Sequence, residues 1–274
     1  MTRRHRPRAG GFTLAELLVV VAIIGLLAAL ITPALYRVVL RARENRIAQE
    51  VSQLHQAAES YKQAHGDYPP DFSDATVVTR HFRKAFQRHT DDTAVTALTT
   101  AQLTRAESIV FCLSQICKDP RQPLSSTTQP TESFFPFDQA RLKLTRTITL
   151  GSRNVDLYAY LPKDGGETPY VYFDCRTYAT NTASGGGYTI NSETVRPYKR
   201  KIGNAPYPYA NPTTYQLICA GLDAEFGNTM AAKAKAFPDG LIDAGDTTIE
   251  AYTQADLDNI TNFSEGRTLQ ENKE

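Results

Sequence analysis

The sequence predicts an α+β fold in which one long N-terminal helix packs on a C-terminal antiparallel β-sheet. Two observations support this prediction. An apolar run followed by a one-sided helical pattern extends from about residue 12 to residue 64. Strand-like alternation of apolar and polar residues then appears in the second half of the chain, beginning at residue 142.

The N-terminal apolar segment is long enough to span a membrane. Residues from Leu17 to Ile31 are all Leu, Val, Ile, Ala or Gly. With its flanks the run has about 24 residues and measures about 36 Å as a helix, against about 30 Å for a bilayer core. The arginines before it fit either a cleavable secretory signal or a plain signal anchor. Neither explains Glu16, because an ionised carboxylate is unfavourable in hydrocarbon.

The segment GGFTLAELLVVVAIIGLLAALITPAL resembles the cleavage and methylation segment of type IV pilins and type II secretion pseudopilins. That family has a short basic leader, a Gly before the cut and Phe as the first mature residue. A Glu stands fifth in the mature chain, and a Pro lies near the far end of the apolar run. The matching residues are Gly11, Phe12, Glu16 and Pro33, after the basic residues 3–8.

The resemblance implies how this segment is processed and used. A prepilin peptidase would cut between Gly11 and Phe12, remove the leader 1–11 and methylate the new amine of Phe12. Residues 12–35 would then form a transmembrane and assembly helix, with Glu16 and Pro33 as assembly residues. The Glu16 carboxylate would face the amine of a neighbouring subunit, and wrong registers would be penalised because they leave a charge unpaired. The alternative for Glu16 is an acid tolerated at the membrane interface.

Within this family the chain is closest to the major pseudopilins, on the Gly-x-Tyr-Pro stretch at residues 66–69. This implies a subunit of a type II secretion system, single-pass in the inner membrane with a periplasmic C-terminal domain, which polymerises into a filament that helps export proteins. The implied partners are prepilin peptidase, other copies and minor pseudopilins, the inner-membrane assembly platform and lipid. The alternative is a type IV pilus pilin for adhesion, motility or DNA uptake. A non-polymerising, membrane-anchored periplasmic binding domain is a third interpretation.

The helix is predicted to continue through residues 36–66. Its apolar side chains recur every three or four positions and form one stripe: Ile47, Val51, Leu54, Ala58 and Tyr61. The residues from His65 to Pro70 end the helix. The stripe predicts packing on a sheet, because barely two heptads are short for the alternative, a coiled-coil seam.

Residues 67–141 are predicted to be a loop and helical insertion. Helical spacing appears in VVTRHFRKAFQRH and in TTAQLTRAESIVFCLSQIC, and a loop rich in Pro, Ser and Thr follows. His81 and His89 lie two helical turns apart, but no carboxylate or Cys stands at a matching position. We therefore expect surface or packing histidines rather than zinc ligands.

Residues 142–274 are predicted to form the antiparallel sheet and an acidic C-terminal loop. In LKLTRTITL, the alternation places Leu142, Leu144, Ile148 and Leu150 on one face. VDLYAYL alternates in the same way after a Gly-Ser turn, which predicts a β-hairpin. PYVYFD (169–174) and TYQLICAGL (214–222) are further predicted strands.

The acidic loop carries a candidate metal site. In major pseudopilins a Gly-x-Asp after a strand and a later Asp-x-x-Ile-like segment bind calcium, and the resemblance assigns Asp223 and Asp258 to these places. Glu225 and Asp256 are plausible additional ligands, since calcium takes six to eight oxygens. A solvated acidic loop without metal is the alternative. Calcium, in a structural role, is the one cofactor that the sequence suggests.

Charge and motifs exclude several classes of function. The basic N-terminus and an acidic stretch after Asp223 argue against nucleic acid as a partner. No nucleophile elbow, HExxH or dinucleotide fingerprint is present, so no enzymatic activity is expected. The cysteines are too scattered for a disulfide scaffold, although one or two disulfides are left open outside the cytoplasm: Cys112, Cys117, Cys175 and Cys219.

Overall fold

The computed structural model describes residues 13–182, 187–190, 193–227 and 233–273, with the backbone alone for 179–182. The predicted leader 1–11 and Phe12 lie outside the described residues. The chain divides into two compact units, the first ending at Ala42 and the second beginning at Arg43.

One helix, α1 (Leu14–His65), corresponds to the helix predicted from about residue 12 to residue 64. Every side chain from Leu14 to Val39 is exposed, and the helix is long and apolar enough to cross a membrane. Pro33 lies inside it without ending it. Since Pro has no backbone N–H, one hydrogen bond of the helical ladder is missing there.

In the second unit, α1 is one-sided, as its sequence predicts. The five residues of the predicted stripe are buried, with Ala48 and Ala57 beside them. They belong to one large apolar core together with residues of the three helices and the strands that follow. The prediction that this half of α1 needs a partner surface is therefore confirmed.

Three short helices follow: α2 (Ala75–Ala85), α3 (Asp92–Ala101) and α4 (Arg105–Ser114). Asp74 caps α2, because its side chain accepts from the Thr76 and Val77 amides. Thr104 and Glu107 form a reciprocal capping box at the start of α4. The sequence predicts α2 and α4, whereas α3 has a weaker pattern and was not predicted.

The described residues contain ten strands: β1 (Leu142–Leu150), β2 (Arg153–Tyr160), β3 (Val171–Asp174), β4 (Tyr188–Ile190), β5 (Glu193–Val195), β6 (Lys199–Arg200), β7 (Tyr215–Cys219), β8 (Ala234–Phe237), β9 (Ile249–Glu250) and β10 (Ile260–Thr261). β1 pairs with β2 and β4 with β5, both antiparallel. The central sheet has the antiparallel order β10-β7-β3. The small sheet β6-β8-β9 is parallel, a departure from the predicted antiparallel arrangement.

The β1–β2 hairpin is present as predicted, but the predicted faces of β1 are partly wrong. The register shifts between Leu144 and Arg146, so Thr145 is an extra residue that forms a β-bulge. The bulge reverses the alternation. Leu144 pairs with Tyr158 and is 56% exposed, whereas Ile148 pairs with the buried Val155.

All four cysteines are free thiols. Cys112, Cys117 and Cys219 are buried and Cys175 is half-buried. Burial raises the pKa of the Cys175 thiol to about 11. The disulfides that the sequence left open are therefore not formed, and these side chains act as small packing residues.

Candidate functional site

Glu16 lies in the first turn of α1, where its side chain helps to cap the N-terminus of the helix. The Thr13 amide and hydroxyl both donate to Glu16 Oε2 at 2.8 Å, and the Glu16 amide donates to Thr13 Oγ1 at 3.2 Å. An acid here also complements the positive end of the helix dipole. Among the described residues nothing donates to Glu16 Oε1, so that oxygen is available to a donor from another molecule.

The surface around Glu16 is apolar on all sides of the helix. Large apolar side chains are exposed along the whole segment from Leu14 to Val39, and Leu18, Ile24 and Leu30 are 60% to 67% exposed. An apolar surface of this extent marks a membrane or protein contact. Lipid satisfies it as well as packing against other apolar helices does.

Pro33 sits in α1 one residue after Thr32, whose hydroxyl donates to the Ala28 carbonyl at 2.7 Å. The carbonyl that lacks a helical donor because of Pro33 is that of Ala29, so the Thr32 bond lies one residue before the interruption. Gly11 and Phe12, the predicted cleavage and methylation residues, lie outside the described residues.

A comparison with known protein families matches residues 6–32 to the prokaryotic N-terminal methylation motif. The matched range contains Gly11, Phe12 and Glu16, and it overlaps the exposed helix. The N-terminal segment of the chain is type IV pilin-like. Its motif implies processing by a prepilin peptidase and assembly into a pilin-type filament, and its apolar helix indicates a membrane anchor. Type IV pilin-like proteins are typically structural rather than enzymatic. No curated protein and no solved structure matches the chain.

The second candidate site of the chain lies where β7 ends. Asp258 Oδ2 accepts hydrogen bonds from the amides of Leu222 at 2.7 Å and Asp223 at 3.0 Å. Burial, together with the neighbouring Asp258 carboxylate, raises the pKa of Asp223 to about 6. Burial also raises the pKa of Asp258. The structure thus brings the two predicted carboxylates together.

Gly221 makes this close approach feasible. Its φ is +69°, in the left-handed region, and a Cβ at this position would collide with the side chain and carbonyl of Asp258. Asp258 Oδ1 is buried and has no hydrogen-bond partner among the described residues. A buried carboxylate oxygen without a donor, beside a second carboxylate, fits a hard cation such as calcium.

The other two predicted ligands do not complete the site. Glu225 is exposed, and it reaches Asp223 through its amide, which donates to Asp223 Oδ1 at 2.8 Å. Asp256 is fully buried and pairs with Lys235, with 2.5 Å between Oδ2 and Nζ. Its carboxylate is occupied by that cation, so the ligand set is corrected to exclude it. Within the described residues no group of three or more His, Cys, Asp or Glu side chains is placed to hold a metal.

His81, which the sequence predicts to be a surface or packing histidine, is a packing residue. His81 is completely buried, and its Nε2 lies 2.7 Å from the Tyr61 hydroxyl. His65, at the end of α1, lies 3.3 Å from Glu132 Oε2 and packs on the Tyr61 ring. Glu50, an acid beside the apolar stripe, contacts the residues at the ends of the hairpin and was not predicted to do so. Its position between two buried residues of α1 was the available signal.

Proposed function

We propose that the protein is a pseudopilin subunit of a type II secretion system. A prepilin peptidase processes it at Gly11–Phe12, and it polymerises through residues 12–35 into a periplasmic filament that helps export proteins. The observation that carries the proposal is the methylation motif on a helix whose apolar surface is exposed on all sides and whose acid, Glu16, keeps one oxygen unbonded. The Gly-x-Tyr-Pro stretch at 66–69 supports a pseudopilin over a type IV pilus pilin, which shares the same motif.

The proposed topology is a single pass through the inner membrane, with residues 43–274 in the periplasm. Before assembly, lipid covers the exposed side chains of α1. On assembly the helices of several copies pack together, and Glu16 Oε1 accepts from the methylated amine of a neighbouring Phe12. A charged pair in an apolar bundle fixes the register, because a shifted subunit leaves a buried charge unpaired. The assembly platform and minor pseudopilins are the proposed further partners.

The processing step is tested by intact-mass and N-terminal analysis of the protein from membranes of its own host. We expect a chain that begins at Phe12 and carries one added methyl group. A chain that begins near Leu35 would identify an ordinary secreted protein. An uncleaved chain would identify a plain membrane anchor, and either result would remove the filament function.

The assembly step is tested with Glu16→Ala. We expect a variant that enters the membrane in normal amount but is absent from filaments isolated after removal of the outer membrane, because the register pair is lost. Thr32→Val is the matched control, since it changes another polar side chain of the same segment and should still assemble. Normal filaments from Glu16→Ala would favour the membrane-anchored binding domain instead.

We further propose that Asp223 and Asp258 hold a calcium ion that stabilises the loop after β7. The support is the shared position of the two carboxylates, the raised pKa of Asp223 and the unpartnered Oδ1 of Asp258. A bound cation would neutralise two acids that otherwise repel each other in a partly buried place.

A further inference from the structure

The outer edge of β1 has no strand partner. Among the described residues β1 pairs with β2 alone, and no backbone–backbone hydrogen bond joins residues 146–150 to any other element. Most residues of β1 are exposed. A free edge of this kind is a template for another strand, and a bulge commonly interrupts it. The bulge at Thr145 does so in the first half of β1, and it leaves the stretch from Arg146 to Leu150 regular.

The register shows which backbone groups of this stretch face the outer edge. The turn between β1 and β2 has two residues, and the pair beside such a turn, which includes Leu150, is hydrogen-bonded. Hydrogen-bonded and non-hydrogen-bonded pairs alternate from there. Thr149 and Thr147 therefore belong to non-hydrogen-bonded pairs. Their N–H and C=O groups point away from β2, to the outer edge.

The helix α3 lies beside the same stretch and runs in the opposite direction. At its C-terminal end, Arg146 Nη2 donates to the Gln102 carbonyl at 3.0 Å. At its N-terminal end, Asp91 Oδ2 accepts from the Ser125 amide at 3.1 Å, and a Cβ on Gly151 would lie 2.8 Å from Ser125 Cβ. A groove of about 810 Å³ lies between the helix and the strand.

The lining of this groove consists mainly of small side chains. It includes residues of both elements: Thr96, Ala97, Thr100, Ala101, Ile148 and Thr149. The Thr96 hydroxyl donates to the Asp92 carbonyl at 2.8 Å, and the Thr100 hydroxyl donates to the Thr96 carbonyl at 2.9 Å. Because these hydroxyl protons are used within α3, the groove offers methyl groups on the helix side and unbonded backbone groups on the strand side.

We propose that this groove binds an extended segment of another polypeptide, which adds to the outer edge of β1 as a further strand. An extended chain fits because its N–H and C=O groups repeat every two residues, as do those of Thr147 and Thr149. Its side chains on the helix side would meet Ala97, Ala101 and Ile148, which suits small or β-branched residues such as Val. The groove has the volume of a ligand site, whereas two folded partners need a larger interface.

Charges at the two ends of the groove favour one direction for the segment. Asp92 is exposed at the N-terminal end of α3. Arg146, at the other end, keeps 40% of its side chain exposed, and among the described residues only its Nη2 is bonded. A segment with a cation at its start and an acid at its end would match both charges. It would run antiparallel to β1, the direction that gives the stronger pairing.

The test measures the fluorescence anisotropy of labelled peptides titrated with the full-length protein in detergent micelles. The first probe is the capped peptide Lys-Thr-Val-Thr-Val-Thr-Glu, for which we expect saturable binding. Methylation of every second backbone nitrogen of this peptide removes donors and leaves the side chains unchanged. We expect it to weaken binding by about tenfold or more, the equivalent of one lost backbone hydrogen bond. The reversed sequence should also bind more weakly, because its charges are misplaced.

Two variants of the protein test the two walls of the groove. Thr149→Pro removes an outward N–H that β2 does not use, and it should weaken binding of the first probe by about tenfold. Thr96→Lys fills the helix side and should have a similar effect. Thr79→Lys is the matched control, since Thr79 of α2 makes the same type of hydroxyl bond, to the Ala75 carbonyl at 2.8 Å, but lies outside the groove. It should bind the probe normally.

The outcomes that would overturn the proposal are distinct. They are equal binding of the methylated peptide, unchanged binding by both folded groove variants, and no saturable binding of the first probe up to about 1 mM. If circular dichroism shows that the variants are unfolded, the methylated peptide decides. Wild-type dimers that Thr149→Pro disrupts would assign the edge to a second copy and also overturn the proposal. The inference does not rest on the filament, so the proposed function is tested separately.

Discussion

Glu50 of α1 and Arg141, which immediately precedes β1, form a two-point ion pair. The distances are 2.5 Å from Nη2 to Oε1 and 2.8 Å from Nη1 to Oε2. The hydroxyls of Tyr160 and Tyr170 donate to the same carboxylate at 2.9 Å and 2.7 Å. This cluster fixes the second part of α1 against the β1–β2 hairpin and β3.

Loss of the Glu50 carboxylate should destabilise the second unit strongly. Glu50→Ala leaves Arg141 without its main partner at a site where the two side chains are only 11% and 19% exposed. We expect a loss of about 3 kcal/mol in the free energy of unfolding, measured by denaturant titration in detergent. Glu59→Ala, which removes one bond to Tyr68, should lose about 1 kcal/mol. Equal losses from both variants would show that the Glu50 cluster is not a special contact.

His81 should make the folded protein less stable at acidic pH. Burial, with Arg176 nearby, holds the pKa of His81 well below its usual value of about 6.5. The unfolded chain therefore takes up a proton that the folded chain excludes. The contribution of neutral His81 to the free energy of unfolding is complete above the pKa of the unfolded histidine. As the pH falls below that value, the free energy of unfolding decreases by up to about 1.4 kcal/mol per pH unit.

The measurement is the free energy of unfolding between neutral pH and pH 5. The groups around His81 include Tyr61, His65, Lys84 and Arg176, and burial lowers the pKa of His65, which lies beside Glu132, as well. His81→Gln should remove part of the slope, and His89→Gln, on the loop after α2, should leave it unchanged. An unchanged slope in His81→Gln would assign the acid sensitivity to another group.

Calcium should stabilise the protein through Asp223 and Asp258. The folded pKa of Asp223 is raised to about 6. Without a cation, the stabilisation that Asp223 gives to the folded state is therefore complete below its unfolded pKa. It is lost as the pH rises through 6, where the folded carboxyl ionises. At pH 7 we expect calcium at a hundred times its dissociation constant to add about 2.7 kcal/mol, seen as a higher Tm.

Two variants separate calcium binding from general charge effects. Asp223→Asn should abolish the calcium response and raise the calcium-free Tm at pH 7, because the repulsion with Asp258 is gone. Asp243→Asn removes an acid outside the pair and should keep the full response. A calcium response that survives in Asp223→Asn would place the ion elsewhere or reject the site.

Gly221 should be needed for the carboxylate pair. Gly221→Ala adds a Cβ at φ +69° that collides with Asp258, so it should lower stability by about 2 kcal/mol and remove the calcium response. Gly203→Ala has a similar φ of +74° with open space around the added Cβ. It should therefore show only the smaller backbone effect, of about 1 kcal/mol, and retain the calcium response. Equal behaviour of the two variants in differential scanning fluorimetry would contradict the proposed collision.

The spacing of apolar residues along the chain was sufficient to predict the elements with a regular hydrophobic period, the long helix and the hairpin. The helix predicted from about residue 12 to 64 is α1, and the stripe from Ile47 to Tyr61 is buried as its spacing indicates. The hairpin was also predicted, because its strands alternate and a Gly-containing turn joins them. The prediction that Leu144 shares a face with Ile148 was wrong because of the bulge at Thr145. The bulge arises from the pairing with β2, and the alternation of residues in β1 does not indicate it.

The sequence by itself determined the membrane-length helix, the methylation motif and the position of Glu16, because each depends on neighbouring residues along one chain. Tertiary structure alone decided which distant side chains meet. Asp256 looked like a partner of Asp258 two residues away, yet a buried Lys235 takes its carboxylate. Asp223 meets Asp258 across two loops because the amides of the first loop bond to the carboxylate of the second. Burial of a charge requires a partner, and spacing along the chain does not specify which one folding supplies.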